Sequence, residues 1–518
     1  MGGVGGGETK SVLSRLWAGQ AMTAHPRSKQ SQSFCHFNLR DAAPDDRHDA
    51  AAIATTFGFA IFTMLLSGAY ASIYCRGLFQ DGVYYLIRIC ERDWFYLHDP
   101  ARTTVQIMRQ APVVLALRLG DFSLVELGRF FSLAMLIIPP ALIALCWHIA
   151  PRDQKLWTLA PVIYLLIGFS TTSFAPVGEA SISASYFWIL LFLLVFRTRT
   201  TLSRTVFLLL CLPAFQLHEG ACLLIPVLFL ALAGQRRDAS SVLDWLFIGS
   251  AAVILSAILV YEVRWMIYPR IPGEREAAIH GILSFGFLYL EGHLNLPVVT
   301  AIFGTAALAV TFFLHSRLPG SVTRSAHVIA VMFSAYALVA IAAAWQFDGM
   351  VSPAAQNLSR YNGIFASIAL GLLVVLGAHG NVRFSWSKAP TLLIVASLSV
   401  AQMGTDLAAT WRWRLYLQDF QTRLANSTGL ADWQGNAAGA NGSRDANWRL
   451  MTIGWVNPIM SIVLSPGGRV HSILDYTPDT TFRPFNLLDP NSLPRLPGVS
   501  YRPYFEALRP QVNTEQQQ

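Results

Sequence analysis

Long apolar runs recur along most of this chain and restrict its fold more than any other feature. We place eleven of them between residues 51 and 405. A helix needs about 20 mainly apolar residues to cross a bilayer, and most of the runs approach that length. Charged residues make up only 13% of the 518 residues, against roughly 25% in an average soluble domain. The sequence therefore predicts an all-α polytopic membrane protein.

The predicted spans alternate with short loops and with two long ones. We place them at residues 51–74, 126–149, 156–172, 183–197, 205–217, 221–234, 243–263, 295–314, 325–346, 363–378 and 389–405. The fifth and sixth are short and flank His218-Glu219-Gly220. This pair is either two tilted helices or one broken helix.

Lysine and arginine residues in the short loops indicate the orientation, because cytoplasmic loops are enriched in them. With the N-terminus inside, the inside loops carry eleven such residues and the short outside loops carry one, Arg360. This orientation puts residues 75–125, 264–294 and 406–518 outside, which is the periplasmic side of a bacterial inner membrane. The net charge of +8 then reflects topology, and binding to nucleic acid is not expected.

The composition divides the chain into three parts. Residues 1–50 are rich in glycine, serine and charge and are predicted to be a disordered cytoplasmic tail. Residues 51–405 form the transmembrane domain. Residues 406–518 are predicted to be a small mixed domain outside the membrane, with aromatic residues at helical spacing and many turn residues. None of the six cysteines forms a CxxC pair, so neither a disulfide framework nor a zinc site is indicated.

The first long outside loop combines acids, arginines and aromatic residues more densely than any other part of the chain. Asp81 follows the first span and precedes Gly82, and glycine lets a backbone approach a ligand closely. In a helix, Tyr84, Tyr85 and Arg88 share a face with Asp81. Such a helix either directs a carboxylate and a guanidinium into one pocket or is a surface helix with solvated charges.

Three further outside features are candidates for the same pocket. Glu179 lies in a short outside loop without basic residues. His218 and Glu219 lie between two spans, where an ionisable pair is costly and is a functional candidate by default. Arg360 and Tyr361 precede the tenth span. The alternatives are an ordinary loop acid for Glu179, a pair satisfied by neighbouring helices for His218 and Glu219, and interfacial placement for Arg360.

Several arginines of the long outside loops are candidates for binding a phosphate or pyrophosphate, because the guanidinium fork matches phosphate oxygens. One or two of them are expected to do so, and the others are expected to be solvated. They are Arg102, Arg109, Arg118, Arg264, Arg270 and Arg275.

The arrangement resembles the GT-C glycosyltransferases, and within them an uncharacterised bacterial branch. These integral membrane enzymes take a sugar from a polyprenyl-phosphate donor. The resemblance covers residues 51–405 as architecture and rests on the long first outside loop, an acid after span one (Asp81) and an acid in the second outside loop (Glu179). It implies that Asp81 is a general base or a metal ligand, so a divalent metal ion is a possible cofactor. Many members carry paired acids in the first loop, whereas here Gly82 and Val83 follow Asp81.

We therefore expect transfer of a sugar from a polyprenyl-phosphate donor to an envelope acceptor on the outer face of the membrane. A carboxylate at that level can accept the proton of the acceptor, and an arginine can stabilise charge on the leaving phosphate. Asp81 is the expected base and Glu179 or Glu219 the second acid. Arg360 or Arg270 is expected to bind the phosphate.

Two other classes of function remain open. A lipid or sugar transporter or flippase needs polar side chains along a path, and the predicted spans carry few of them, such as Glu126, Arg129 and Glu262 near span ends. A non-catalytic envelope assembly protein would bind a protein partner through the aromatic-rich residues 406–518.

Overall fold

The computed structural model describes nine stretches of the chain. They are residues 44–79, 81–167, 179–197, 200–236, 239–268, 353–379, 388–432, 456–475 and 485–515. The predicted disordered tail at 1–50 lies outside them except for its last residues, where the first helix begins at Pro44.

Helices account for most of the described residues. The α-helices are α1 (Pro44–Ile73), α2 (Asp81–Arg92), α3 (Thr103–Leu119), α4 (Leu124–Ile149), α5 (Leu159–Leu165), α6 (Glu179–Phe196), α7 (Thr201–Cys211), α8 (Ile225–Gln235), α9 (Val242–Ile267), α10 (Pro353–His379), α11 (Lys388–Ala425), α12 (Val456–Leu464) and α13 (Arg502–Glu515). The strands are β1 (Gly429–Asp432) and β2 (Ser472–Asp475). Short 3-10 turns lie at Arg76–Leu78, Pro100–Arg102, Arg152–Thr158, Pro213–Gln216, Glu219–Leu223 and Pro466–Gly468.

Five of the described helices are long and apolar enough to cross a membrane. They contain the segments Ala50–Ile73, Leu124–Ile149, Glu179–Phe196, Val242–Ile267 and Thr391–Ala425. Each begins within a few residues of a predicted span, so the prediction of a helical membrane protein is confirmed. The predicted spans 295–314 and 325–346 lie outside the described residues, and the number of eleven stays a prediction.

Proline residues shape the junction between α7 and α8. Pro213 begins a 3-10 turn after α7 ends at Cys211, and Pro226 lies in the first turn of α8. Proline lacks an N–H and its ring clashes with the carbonyl four residues earlier, so it is poorly tolerated inside a helix. His218 has an extended backbone between the two 3-10 turns. The chain therefore forms two short helices here, with His218 and Glu219 at their junction.

The larger hydrophobic core lies among the apolar helices. It joins α1 and all the helices from α3 to α11 through buried side chains such as Phe57, Trp188 and Leu228. Small residues let membrane helices approach closely. Gly377 of α10 makes room for a side chain, because a Cβ there would lie only 2.2 Å from the ring of Trp157 in the turn before α5.

A second hydrophobic core joins the segment after α1 to the C-terminal residues. α2 contributes Val83 and Leu86, and α11 contributes Trp413 and Phe420, all of which are buried. Every residue of α12 is buried as well, and β1 pairs with β2 in parallel. The C-terminal segment is therefore mixed in structure and shares its core with the first long loop.

α11 continues without a break through Asp406 to Ala425. The predicted boundary between the last span and the C-terminal domain at 406 thus falls inside a helix. Asp406 forms an ion pair with Arg76, whose Nη1 lies 3.0 Å from the Asp406 Oδ1, and accepts a hydrogen bond from Ser67 Oγ at 3.2 Å. Arg76 is only 1% exposed. These contacts fix the end of α1 and the turn after it to the middle of α11.

Candidate functional site

Asp81 begins α2 where the chain turns away from α1. Cys75 has a left-handed backbone, with φ of 55°, and precedes the first 3-10 turn. Gly82 packs so closely on this turn that a Cβ would lie 1.8 Å from the carbonyl oxygen of Gly77. Close packing within the chain therefore explains the glycine after Asp81. The sequence had suggested close approach to a ligand instead.

The predicted functional face of α2 divides between two neighbours. Tyr85 lies one turn after Asp81 and is buried, and the guanidinium carbon of Arg109 in α3 lies 3.9 Å from its ring centroid. The guanidinium carbon of Arg88 instead lies 5.1 Å from the ring of Phe485 in the C-terminal segment. Tyr85 and Arg88 therefore face different surroundings.

Tyr84 and Arg88 are held by residues of their own loop. The hydroxyl of Tyr84 lies 3.3 Å from the hydroxyl of Tyr96. Arg88 Nη1 donates to Glu91 Oε2 at 2.7 Å. Burial lowers the pKa of Arg88, but its hydrogen bonds to Glu91 and Tyr84 outweigh burial and raise it. Both side chains contribute to the packing of α2, the loop after it and the C-terminal segment.

Asp99 determines how the chain enters α3. Its Oδ1 accepts a hydrogen bond from the Ala101 N–H at 2.9 Å, and Pro100 begins the following 3-10 turn. Proline is favoured at a first helical position because its missing N–H would have no partner there anyway. Arg102 and Arg109 then follow two helical turns apart, which puts them on one face.

Arg102 binds carboxylates from three separate parts of the chain. Its Nη1 lies 2.9 Å from Oε2 of Glu179, at the start of α6. Its Nε lies 2.9 Å from Oε2 of Glu219, and its Nη2 donates to the other oxygen of that carboxylate. The Nε also lies 3.1 Å from Oδ2 of Asp99. We call Asp99, Arg102, Arg109, Glu179 and Glu219 the Arg102 cluster.

Arg109 is the second cation of the cluster. Its Nη2 lies 2.8 Å from Oε1 of Glu179, and the two side chains are 1% and 3% exposed. Because Glu179 Oε2 faces Arg102, each oxygen of this carboxylate is paired with a different arginine. A buried ion pair loses hydration on both charges and needs close contacts to offset the loss. Glu179 therefore positions Arg102 and Arg109 relative to each other.

A chain of polar side chains leads from Tyr85 away from the cluster. The Tyr85 hydroxyl lies 3.1 Å from His98 Nε2, and His98 Nδ1 lies 3.1 Å from Gln106 Nε2. An amide nitrogen only donates, so His98 Nδ1 accepts and its Nε2 carries the proton. Burial raises the pKa of Tyr85, and the charge of Glu179 acts in the same direction. Tyr85 is therefore a neutral hydroxyl.

Glu219 reaches Arg102 from the junction of α7 and α8, and His218 Nδ1 lies 3.7 Å from Oε2 of Glu219. His218 Nδ1 accepts a hydrogen bond from the Gly220 N–H at 2.9 Å. Burial raises the pKa of Glu219, but the charges of His218 and Arg102 and the hydrogen bonds from Arg102 outweigh it and lower the pKa to about 2. We assign most of this lowering to Arg102, because an Nδ1 that accepts a hydrogen bond carries no proton.

Asp99 differs from Glu219 in its affinity for a proton. Burial raises the pKa of Asp99, and the charges of Glu219 and Glu179 act in the same direction, while Arg102 opposes them. Of these two carboxylates, Asp99 is therefore the one that takes up a proton more readily.

A further carboxyl, that of Glu262 in α9, lies beside the cluster. It is 0% exposed, and among the described residues neither of its oxygens has a hydrogen-bond partner. Its charge interacts with those of Glu219, Asp99 and Arg102. The sequence identified it only as one of the few polar residues in the spans.

Of the predicted site residues, the structure brings Glu179, His218 and Glu219 together, and it connects Tyr85 to them through Arg109. Asp81 is in the same region, since the charges of both Asp81 and Glu179 act on the Tyr85 hydroxyl.

Other predicted site residues are described less fully. Arg360 and Tyr361 lie in α10, where only the backbone is described, and Arg270 lies outside the described residues. Asp99 and His98 had no role predicted from the sequence. The Asp-Pro pair at Asp99 is a recognisable turn signal, since aspartate accepts from nearby backbone N–H groups and proline begins a helical turn.

The cluster does not fit a divalent metal ion. Both oxygens of Glu179 and both of Glu219 already face arginine nitrogens. Within the described parts of the chain, no group of three or more histidine, cysteine, aspartate or glutamate side chains is arranged to hold a metal ion.

A cavity of about 460 Å³ lies away from the cluster, at the C-terminal end of α2. Glu91 and Asp93 line one side of it, and a proline-rich segment that includes Arg495 and Tyr501 lines the other. The cavity therefore lies between the first loop and the C-terminal segment.

Comparison with known proteins finds no matching protein family, no similar curated protein and no similar solved structure.

Proposed function

We propose that this protein is a membrane glycosyltransferase that moves a sugar from a polyprenyl-phosphate donor to an envelope acceptor. It would act on the outer face of a bacterial inner membrane, with the N-terminus cytoplasmic and the C-terminus periplasmic. The observation that carries the proposal is the Arg102 cluster, in which acids and arginines from three separate segments gather where α6, α9 and the α7–α8 junction meet the first long loop.

Asp81 is the proposed general base. Its carboxylate would take the proton of the acceptor hydroxyl while that oxygen attacks the anomeric carbon of the sugar. The bond between the anomeric carbon and the phosphate oxygen breaks, and its electrons leave with the polyprenyl phosphate. The support from geometry is that Asp81 lies one turn from Tyr85, whose ring packs on Arg109 of the cluster.

Arg270 or Arg360 is the proposed partner of the donor phosphate, because the nitrogens of Arg102 already face three carboxylates. A guanidinium held in place before the reaction stabilises negative charge on a leaving phosphate without reorganisation. In this proposal Glu179 positions Arg102 and Arg109, and Tyr361 remains a predicted donor contact.

The test is donor binding and turnover by the purified protein in nanodiscs, with polyprenyl-phosphate sugars as probes. Wild type is compared with Asp81→Asn and with Asp153→Asn, the same change at an exposed aspartate in the turn after α4. We expect wild type and Asp153→Asn to consume donor and Asp81→Asn to bind it without turnover. Full turnover by Asp81→Asn would remove Asp81 as the base, and absence of donor binding by wild type would overturn the function.

Glu262 favours a second candidate function, that of a proton-coupled transporter. A buried carboxyl near the end of a membrane-spanning helix is a recurrent element of proton pathways. This candidate predicts that the protein in liposomes accumulates a substrate in response to a pH gradient and that Glu262→Gln abolishes the response. Donor turnover without any proton-linked uptake would exclude it.

A further inference from the structure

The Arg102 cluster and Glu262 together contain more acids than bases. Their four carboxyl groups are those of Asp99, Glu179, Glu219 and Glu262, and their two fixed cations are the guanidinium groups of Arg102 and Arg109. With every carboxyl ionised the group would carry two net negative charges at a place that is largely shielded from water. One bound proton halves that excess.

Within the described stretches, Glu262 is the member of the group that forms no ion pair of its own. The oxygens of Glu179 and Glu219 lie within ion-pair distance of arginine nitrogens, and Asp99 Oδ2 lies 3.1 Å from Arg102 Nε. Among the described residues the Glu262 carboxyl forms no hydrogen bond. The backbone of Leu217 lies near the Glu262 carboxyl, but its distance and angle are not those of a hydrogen bond.

Among the described residues, the elements around α9 bring one cation, Arg102, near Glu262, and the nitrogens of Arg102 already face Asp99, Glu179 and Glu219. α9 contacts α7, α8 and the 3-10 turns Pro213–Gln216 and Glu219–Leu223. The second of these turns contributes Glu219 and the thiol of Cys222, and the segment before α3 contributes Asp99 and Arg102. α8 and the turn Pro213–Gln216 contain no titratable side chain.

The other charged side chains of α7 and α9 are either paired with each other or exposed. Arg204, the charged residue of α7, pairs with Asp244 in the first turn of α9, about five helical turns from Glu262 along the axis. Arg264 is the other charged residue of α9, and it is more exposed than Glu262.

An ionised carboxylate in this environment would be costly. A charge buried without a partner is strongly destabilising, and in practice such a group takes up a proton instead. We propose that the Arg102 cluster and Glu262 together bind one exchangeable proton, and that in this conformation the proton resides on Glu262.

Exchange within the group conserves charge. When the proton moves, the O–H bond at Glu262 breaks, an O–H bond forms at Asp99, and the negative charge moves from Asp99 to Glu262. Tyr261 holds the end of α9 beside the cluster, because its hydroxyl donates to the Pro100 carbonyl at 3.3 Å. The inference does not use glycosyl transfer, so it can fail or hold independently of that function.

Infrared spectroscopy tests the proposal directly, because a protonated carboxyl has a C=O stretching band separate from that of a carboxylate. The full chain is purified in a detergent without ester groups, so that lipid carbonyl bands do not overlap. The spectrum of Glu262→Gln at neutral pH is subtracted from that of wild type. We expect a protonated-carboxyl band in the difference, which shifts in D₂O.

Controls make the assignment specific. Glu506→Gln carries the same change at a side chain that is 53% exposed and should give no such band. Labelling wild type with ¹³C-glutamate should shift the band without any substitution, so the test holds even if Glu262→Gln does not fold. A neutral-pH spectrum in which neither the label nor Glu262→Gln affects a protonated-carboxyl band would overturn the proposal.

A second variant tests whether the Glu262 carboxyl senses the charge of the cluster. In Glu219→Gln the neighbouring negative charge is removed, so the Glu262 band should shift in frequency. An unchanged band in Glu219→Gln would show that the two groups do not sense each other, and the shared proton would then be wrong.

Discussion

Arg102 binds Glu219 through two parallel contacts, from Nε to Oε2 at 2.9 Å and from Nη2 to Oε1. This fork depends on the planar guanidinium, which an ammonium group does not reproduce. Arg102→Lys keeps the charge and loses the geometry, and it leaves parts of Glu179 and Asp99 without donors. We expect it to destabilise the protein by roughly 3 kcal/mol, as for a broken, mostly buried pair. Thermal unfolding in detergent measures this.

The control for Arg102→Lys is Arg502→Lys in α13. Arg502 also forms an ion pair, with Glu506, but its side chain is 85% exposed. Exposed pairs contribute little, so the melting temperature should not change. Equal effects of the two substitutions would contradict the assignment of Arg102 as the centre of the cluster.

The pKa of Glu219 predicts how stability depends on pH. Its folded pKa is about 2, against an ordinary value of 4.5, so the contribution is fully present above pH 4.5 and is lost as the pH falls toward 2. A shift of this size corresponds to at most about 3 kcal/mol. Wild type should therefore exceed Glu219→Gln in stability near pH 7, and the gap should narrow between pH 4.5 and 2. A gap that is independent of pH over this range would contradict the ion pair.

Gly82 provides a test of backbone packing. A Cβ at this position would lie 1.8 Å from the carbonyl oxygen of Gly77, so Gly82→Ala must displace the start of α2. We expect a loss of about 2 kcal/mol or more, in the range of overpacked sites. Gly249→Ala in α9 is the matched control, since nothing lies within 4 Å of its Cβ position, and alanine in a helix gains about 0.5–1 kcal/mol over glycine. Limited proteolysis of the first loop provides a second measurement.

Two substitutions of Tyr85 distinguish the contribution of its hydrogen bond to stability from that of its stacked ring. Tyr85→Phe keeps the ring under Arg109 and removes the hydroxyl that lies 3.1 Å from His98 Nε2. We expect a loss of about 1 kcal/mol for the hydrogen bond. Tyr85→Leu removes the stacking as well and should cost more. Tyr268→Phe, at a tyrosine that is 71% exposed, should be neutral in the same unfolding experiment.

The membrane character and the starts of the described spans followed from the sequence, because long apolar runs without charge have few alternatives in structure. The end of α11 did not follow. Hydropathy falls after residue 405, but helical periodicity continues through Trp413 and Phe420, and burial in the second core keeps that segment helical. A hydropathy pattern reports contact with lipid and does not report the length of a helix.

The candidate site followed from the sequence only in part. Glu179 and Glu219 were recognisable because acids beside membrane spans are costly and therefore informative. Their common partner was not, since Arg102 was one of six comparable loop arginines. Only the three-dimensional arrangement brings residues 77 and 117 positions away from Arg102 in sequence to the same guanidinium. Asp99 was missed because its carboxylate serves first as a turn cap.

The continuous helix α11 has a mechanical consequence. Its 38 residues correspond to about 57 Å, nearly twice the ~30 Å of a bilayer's hydrocarbon core. Because the helix has no break, its two halves share one axis, and the Arg76–Asp406 pair fixes that axis near its middle. A tilt of the membrane-embedded half would swing the opposite half, and the core it shares with α2, through an arc. The thickness of the surrounding bilayer would thereby affect the orientation of the first loop relative to the membrane.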